Sequence, residues 1–125
     1  MSVILVEDEP LIQGALVEFI EDAGYPAEAA HDAEDAIELI ERKKADLRLL
    51  ITDIRIHSTG NKTGWDVAQY ARQAIPDLPI IYISGDSAFH RQANAVPNSF
   101  FLPKPFRMSE LLGCLRQALG EPKGK

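Results

Sequence analysis

The most restrictive feature of the sequence is an alternation between two hydrophobic periods along its length. Val3-Ile4-Leu5-Val6 is a short unbroken apolar run, the pattern of a strand covered on both faces. Leu11, Ile12, Ala15, Leu16, Phe19, Ile20 and Ala23 then recur at helical spacing, with Pro10 near the start and Gly24 just past the end. Pro26 to His31 reads as a weak strand. Ala36, Ile37, Leu39 and Ile40 mark a second helix, started by Asp32 or Asp35. Leu47 to Thr52 is a strong strand. A polar stretch, His57 to Thr63, precedes a third helix carried by Trp65, Ala68, Ala71 and Ile75 and stopped before Pro76. Ile80 to Ile83 is a strand. Ser87 to Val96 is a poor helix with few large apolar residues. Phe100 to Leu102 is the last strand, and Met108, Leu111, Leu112, Leu115, Ala118 and Leu119 line the final helix.

Five strand–helix units in succession predict an α/β fold, a five-stranded parallel sheet doubly wound as (βα)5. At 125 residues the chain is one domain, with a core large enough to need no disulfide or metal staple. The reading places that domain at 1–120 and leaves 121–125 as a polar C-terminal tail, a frayed end or the stump of a linker. Acidic residues outnumber basic ones, 19 to 13, for a formal charge of -6. That sign argues against direct nucleic-acid binding. The single cysteine, Cys114, makes an internal disulfide impossible and suits a reducing cytoplasm. The N-terminus has neither a basic segment nor a long apolar run, so neither a signal peptide nor a membrane partner is expected.

In doubly wound sheets ligands bind outside the carboxyl ends of the strands. Glu7, Asp8 and Glu9 follow the first strand, Asp53 the third, Ser84-Gly85-Asp86 the fourth and Lys104-Pro105 the fifth. Carboxylates gathered at one sheet end repel one another, and a hard cation such as Mg²⁺ relieves the conflict. The acidic first loop also excludes a bare phosphate cradle, and with it flavin binding. Metal-dependent phosphoryl chemistry is what this set suits. Taken singly, each residue has a plainer reading: Asp8 and Asp53 as helix caps, Lys104 as a solvated lysine, Ser84 as a strand-end hydroxyl, Phe101 as core. His31, His57 and His90 lack metal-ligand spacing. Trp65 reads as packing, and Cys114 as an inert buried thiol.

Val6-Glu7-Asp8-Glu9-Pro10, Ile51-Thr52-Asp53, Ile83-Ser84-Gly85 and Leu102-Pro103-Lys104-Pro105-Phe106 together resemble the receiver domain of bacterial two-component response regulators (CheY-like). The resemblance runs from about Ser2 to Leu119 and implies the flavodoxin-like strand order 2-1-3-4-5. It implies that Asp53 is the phospho-acceptor and that Glu7 and Asp8 hold Mg²⁺ (or Mn²⁺), together with Asp53 and the backbone carbonyl of Arg55. It implies that Ser84 is the switch hydroxyl, Lys104 the phosphoryl-pairing lysine, Phe101 the switch aromatic, and the Lys104–Pro105 bond cis. The implied partners are a histidine kinase or phosphotransfer protein, and a downstream protein bound through 87–96, 100–102 and 107–119. Such a domain is no enzyme beyond its own phosphorylation and dephosphorylation. With no output domain in the chain, it is expected to act alone, through protein contacts or as a relay station.

The chain departs from the family after Asp53. Ile54-Arg55-Ile56-His57-Ser58-Thr59 replaces the usual Met-Pro, and Gly64 comes later than usual, so the loop over 54–63 is long. Arg55 and Asp86 carry opposite charges on two sides of the expected site. A degenerate receiver, working as a phosphorylation-independent interaction module, is an alternative left open by that loop. A metal-dependent aspartyl-phosphate phosphohydrolase is another, though such enzymes place their nucleophile on the first strand.

Overall fold

A computed structural model describes residues 2–85 and 95–120. Five strands, β1 (Ser2–Val6), β2 (Ala27–Ala30), β3 (Leu47–Asp53), β4 (Ile80–Ser84) and β5 (Ser99–Pro103), pair in parallel in the order β2-β1-β3-β4-β5. Four helices are described: α1 (Pro10–Asp22), α2 (Ala33–Lys43), α3 (Gly64–Ala74) and α4 (Met108–Leu119). This is the flavodoxin-like sheet order. The poor helix expected at Ser87 to Val96 lies outside the described residues, apart from Ala95 and Val96, and so does the expected tail.

The layers explain the apolar runs. Val3 and Leu5 of β1 pack with Leu16 and Ile20 of α1 and Leu111 and Leu115 of α4. Ile4 and Val6, alternating with them, pack with Leu39 and Ile40 of α2 and Val67 and Ala68 of α3. Successive strand side chains point to opposite faces, so a strand with helices on both sides must be apolar at every position. All four of these β1 side chains are fully buried, each worth about 1.5–3 kcal/mol on the usual transfer scale. β2 reads weakly because it is an edge strand, and Ala27, Glu28 and Ala29 are only half-buried.

Local chemistry sets the helix starts. Pro10 opens α1 behind the Glu9 cap, and the chain leaves the helix through Gly24 at φ 104°. For α2 the cap is Asp32 rather than Asp35: the Asp32 carboxylate accepts from the Asp35 N–H at 2.7 Å. Thr63 and Asp66 form a reciprocal capping box on α3.

α1 and α3 pack on opposite faces of the sheet, yet they follow strands that lie side by side, β1 and β3. The crevice between those strands' carboxyl ends is the topological switch point. Gly64 closes its far side. The Gly64 N–H donates to the Ile54 carbonyl at 2.8 Å, and a Cβ on Gly64 would stand 2.2 Å from the Asp53 carbonyl oxygen. That clash is with backbone, which cannot swing aside. Gly64→Ala is expected to destabilise the fold by about 1–3 kcal/mol, the usual cost of overpacking. A thermal melt beside the parent checks it, and an unchanged Tm would refute the close approach.

Candidate functional site

Three charged groups meet at the switch point. Asp53 is the last residue of β3 and is 7% exposed; Glu7 directly follows β1 and is 2% exposed. Lys104 follows β5, and its Nζ lies 2.6 Å from Asp53 Oδ2 and 3.7 Å from Glu7 Oε1. The Lys104 main chain is fixed as well. Its N–H donates to the Ser84 carbonyl at 2.8 Å, and the Lys104–Pro105 peptide is cis. Ser84 itself is buried at the end of β4. Gly85 faces the Lys104 stem at a distance where an alanine methyl would make ordinary contact, 3.4 Å.

Each carboxylate is further oriented by backbone. Asp53 Oδ1 accepts from the Arg55 N–H at 3.3 Å, and Glu7 Oε2 from the Glu9 N–H at 3.1 Å. Gln13, on α1, donates from Nε2 to the Glu7 carbonyl at 2.8 Å and to the Ala30 carbonyl at 3.3 Å. It joins the ends of β1 and β2 beneath the site. Sequence reasoning missed Gln13, because a glutamine in the first turns of a helix carries no signal of what it faces.

Burial raises the Glu7 pKa above the ordinary carboxylate value, against the opposing pull of the Glu9 N–H and the Lys104 ammonium. Burial works to lower the Lys104 pKa, but the Asp53 and Glu7 carboxylates outweigh it and hold it above the ordinary lysine value. Two buried carboxylates thus share one cation.

Glu7 and Asp53 converge on Lys104, and Asp8, which is exposed, is near enough for its charge to help raise the Glu7 pKa. Among the described residues no three acidic, histidine or cysteine side chains stand together as a ready-made cation cage. Arg55 is exposed at the start of the long loop, while Asp86, its expected counterpart, lies outside the described residues. The loop folds back on α2, with the His57 carbonyl accepting from the Ala33 N–H at 2.9 Å.

The remaining singled-out residues are placed as follows. Phe101 is half-buried and stacks on Tyr82 with ring centroids 5.3 Å apart; Trp65 lies 4.7 Å from Tyr82 and 6.5 Å from Phe101, so the three rings form one cluster. Trp65 is buried, a packing residue. The Tyr82 hydroxyl accepts from the Val96 N–H at 3.2 Å. His31 and His57 are exposed, and His90 lies outside the described residues. Cys114 is half-buried, and burial, with Glu110 nearby, pushes its thiol pKa up. Beside Lys104 lies an open apolar groove of about 640 Å³. Leu11, Ile12 and Met108, the large hydrophobics most exposed among the described residues, all border it. No described helix is long and apolar enough to cross a membrane.

The sequence profile of the response regulator receiver domain matches residues 3–116. The structure superposes on a response regulator receiver protein from Sinorhizobium medicae with a TM-score of 0.87 and 34% identity, covering 95% of this chain and 94% of that one. It superposes on the receiver domain of NtrX from Brucella abortus with a TM-score of 0.82 and 25% identity, over 94% and 98% of the two chains. The response regulator MprA of Mycobacterium avium is 30% identical over 98% of this chain, which spans 53% of MprA. Against the sensor kinase CckA of Brucella abortus the chain spans 12% of the relative's length.

The Glu7 environment has a measurable consequence. Because the folded-state pKa is raised, the carboxyl contributes most to stability below its unfolded pKa of about 4.3 and less as pH climbs through the folded value. Glu7→Gln removes that loss. In EDTA the variant is expected to match the parent near pH 4 and to melt a few degrees higher at pH 7, about 1 kcal/mol or less. Melts across that pH range check the crossover; a variant less stable at pH 7 would refute it.

Proposed function

The chain belongs to the response regulator receiver domain family of two-component signalling proteins, and from that premise we propose that Asp53 accepts a phosphoryl group from a histidine kinase or phosphotransfer protein. The observation that carries this reading is the 2.6 Å pair between Lys104 Nζ and Asp53 Oδ2 at the switch point of the sheet. An aspartate there is oriented and faced by a cation. Phosphoryl transfer asks for those things more than for covalent assistance.

A carboxylate oxygen of Asp53 attacks phosphorus. The P–O bond forms as the donor's P–N bond breaks, and the electron pair returns to the donor imidazole. Lys104 then exchanges its carboxylate partner for a phosphoryl oxygen, keeping charge balance in a partly buried site. The Arg55 N–H holds the other carboxylate oxygen during the attack. Ser84, at the end of β4, donates to the phosphoryl group once it is present. The movement passes along β4 and β5 to Phe101 and to the surface formed by 100–102 and 107–119, where a downstream protein binds.

The donor set fits a hard divalent cation: burial disfavours the ionised form of Glu7, and one ammonium faces two buried carboxylates. Glu7, Asp8, Asp53 and the Arg55 carbonyl would hold Mg²⁺ (or Mn²⁺), which supplies positive charge toward the phosphoryl oxygens when bound. The apolar groove bordered by Leu11, Ile12 and Met108 adjoins Lys104, so a protein donor reaching Asp53 would cover it.

Intact mass after incubation with acetyl phosphate and Mg²⁺ tests the acceptor. One phosphoryl adduct is expected, absent in Asp53→Ala and in EDTA; an adduct that survives Asp53→Ala would sink the assignment. Leu11→Asp separates docking from chemistry. Its labelling by acetyl phosphate is expected to match the parent, while transfer from a phosphotransfer protein slows by about tenfold, the loss of one interface anchor. Equal slowing with both donors would count against the groove.

A further inference from the structure

The outer part of the long loop after β3 is clamped by one carboxylate on another element. From Ile54 the chain leaves the sheet and returns at Gly64, whose N–H closes the neck on the Ile54 carbonyl. Ile56 packs against the core; the segment beyond it is held by polar contacts. Glu34, in the first turn of α2, supplies them: Oε2 accepts from the Ser58 hydroxyl at 2.6 Å and Oε1 from the Thr59 N–H at 3.1 Å. The Ser58 hydroxyl in turn accepts from the Gly60 N–H at 3.1 Å and the Lys62 N–H at 3.0 Å. The Ala33 N–H holds the His57 carbonyl beside them. The Ser58 hydroxyl keeps the Glu34 pKa below its ordinary value despite some burial, so the clamp is ionised at neutral pH.

The near end of this loop is Arg55, whose N–H orients Asp53 Oδ1. We propose that Glu34 is a positioning residue for the Asp53 site: by clamping residues 57–62 to α2 it fixes the Arg55 amide against the Asp53 carboxylate and so sets the rate of phosphorylation. This rests on the reading of Asp53 as phospho-acceptor. The clamp acts through orientation alone, since Glu34 reaches neither Asp53 nor Lys104 by any hydrogen bond.

The test compares the parent with Glu34→Ala, Ser58→Ala, the double variant, Glu34→Gln, and Glu18→Ala as a control for lost surface charge. Two readouts are taken below the melting range of every variant. Hydrogen exchange of the Arg55 amide needs no phosphoryl donor. Labelling by acetyl phosphate at saturating Mg²⁺ gives a maximal rate and a half-saturating donor concentration. In Glu34→Ala the Arg55 amide is expected to exchange faster and the maximal rate to fall about three- to tenfold, with half-saturation unchanged, as for a lost orientation. Ser58→Ala follows it, the double variant is no worse than the worse single, and Glu34→Gln, keeping one acceptor oxygen, lies between. Glu18→Ala matches the parent. Unchanged Arg55 exchange, or an unchanged maximal rate in a parent that does become labelled, overturns the proposal. A parent that takes no label sinks the acceptor reading instead, and the Arg55 exchange then decides the positioning by itself.

Discussion

Lys104 Nζ is one ammonium shared by two carboxylates that the fold withdraws from water. Glu7 and Asp53 end adjacent strands, so their side chains are delivered to the same place by the sheet. Unpaired, two such groups would cost several kcal/mol each. The cation that faces them comes from β5, which is separated from β1 by two strands and from Asp53 by 51 positions in the chain. Its main chain is anchored to the Ser84 carbonyl, so the charge balance of the site depends on the pairing of β4 with β5. Anything that draws Lys104 off Asp53 must supply or remove charge there. Such a site couples an electrostatic change at one carboxylate to the geometry of two loops.

Backbone sterics carry as much of the site as charge does. The Gly64 approach to the Asp53 carbonyl leaves no room for a Cβ, and it brings the start of α3 directly onto the end of β3. The extra residues between Arg55 and Thr63 are therefore pushed outward, beyond a fixed neck. Ile56 packs against the core, and the residues beyond it settle against α2 through hydrogen bonds. The family resemblance and the unusual loop are thus compatible: an insertion there need not move Asp53.

Much of this was legible in the residue pattern. The runs Val3–Val6 of β1 and Leu49–Ile51 of β3 are unbroken apolar stretches because helices cover both sides of those strands, the pattern that favours a parallel layered sheet over an antiparallel one. The ends of those runs mark the end of the sheet, so Glu7, Asp53, Ser84 and Lys104 could be singled out without coordinates. The weak reading of β2 was itself informative, as an edge strand buries less. The choice between Asp32 and Asp35 as helix cap was not legible, since both satisfy the same local preference and only the backbone torsions separate them.

The sequence by itself determined the order of elements, the class of sheet and which four residues stand at its carboxyl end, because hydrophobic period and strand termini are local properties. The tertiary structure alone decided who partners whom there. That Lys104 rests between Glu7 and Asp53 while Asp8 stays exposed depends on distances between separate strands. That Gln13 joins two strand ends, and that Glu34 clamps a loop 24 residues ahead, depends on where helices land on the sheet. A long-range hydrogen bond leaves no trace in the residues flanking either partner, so no period or cap preference can announce it.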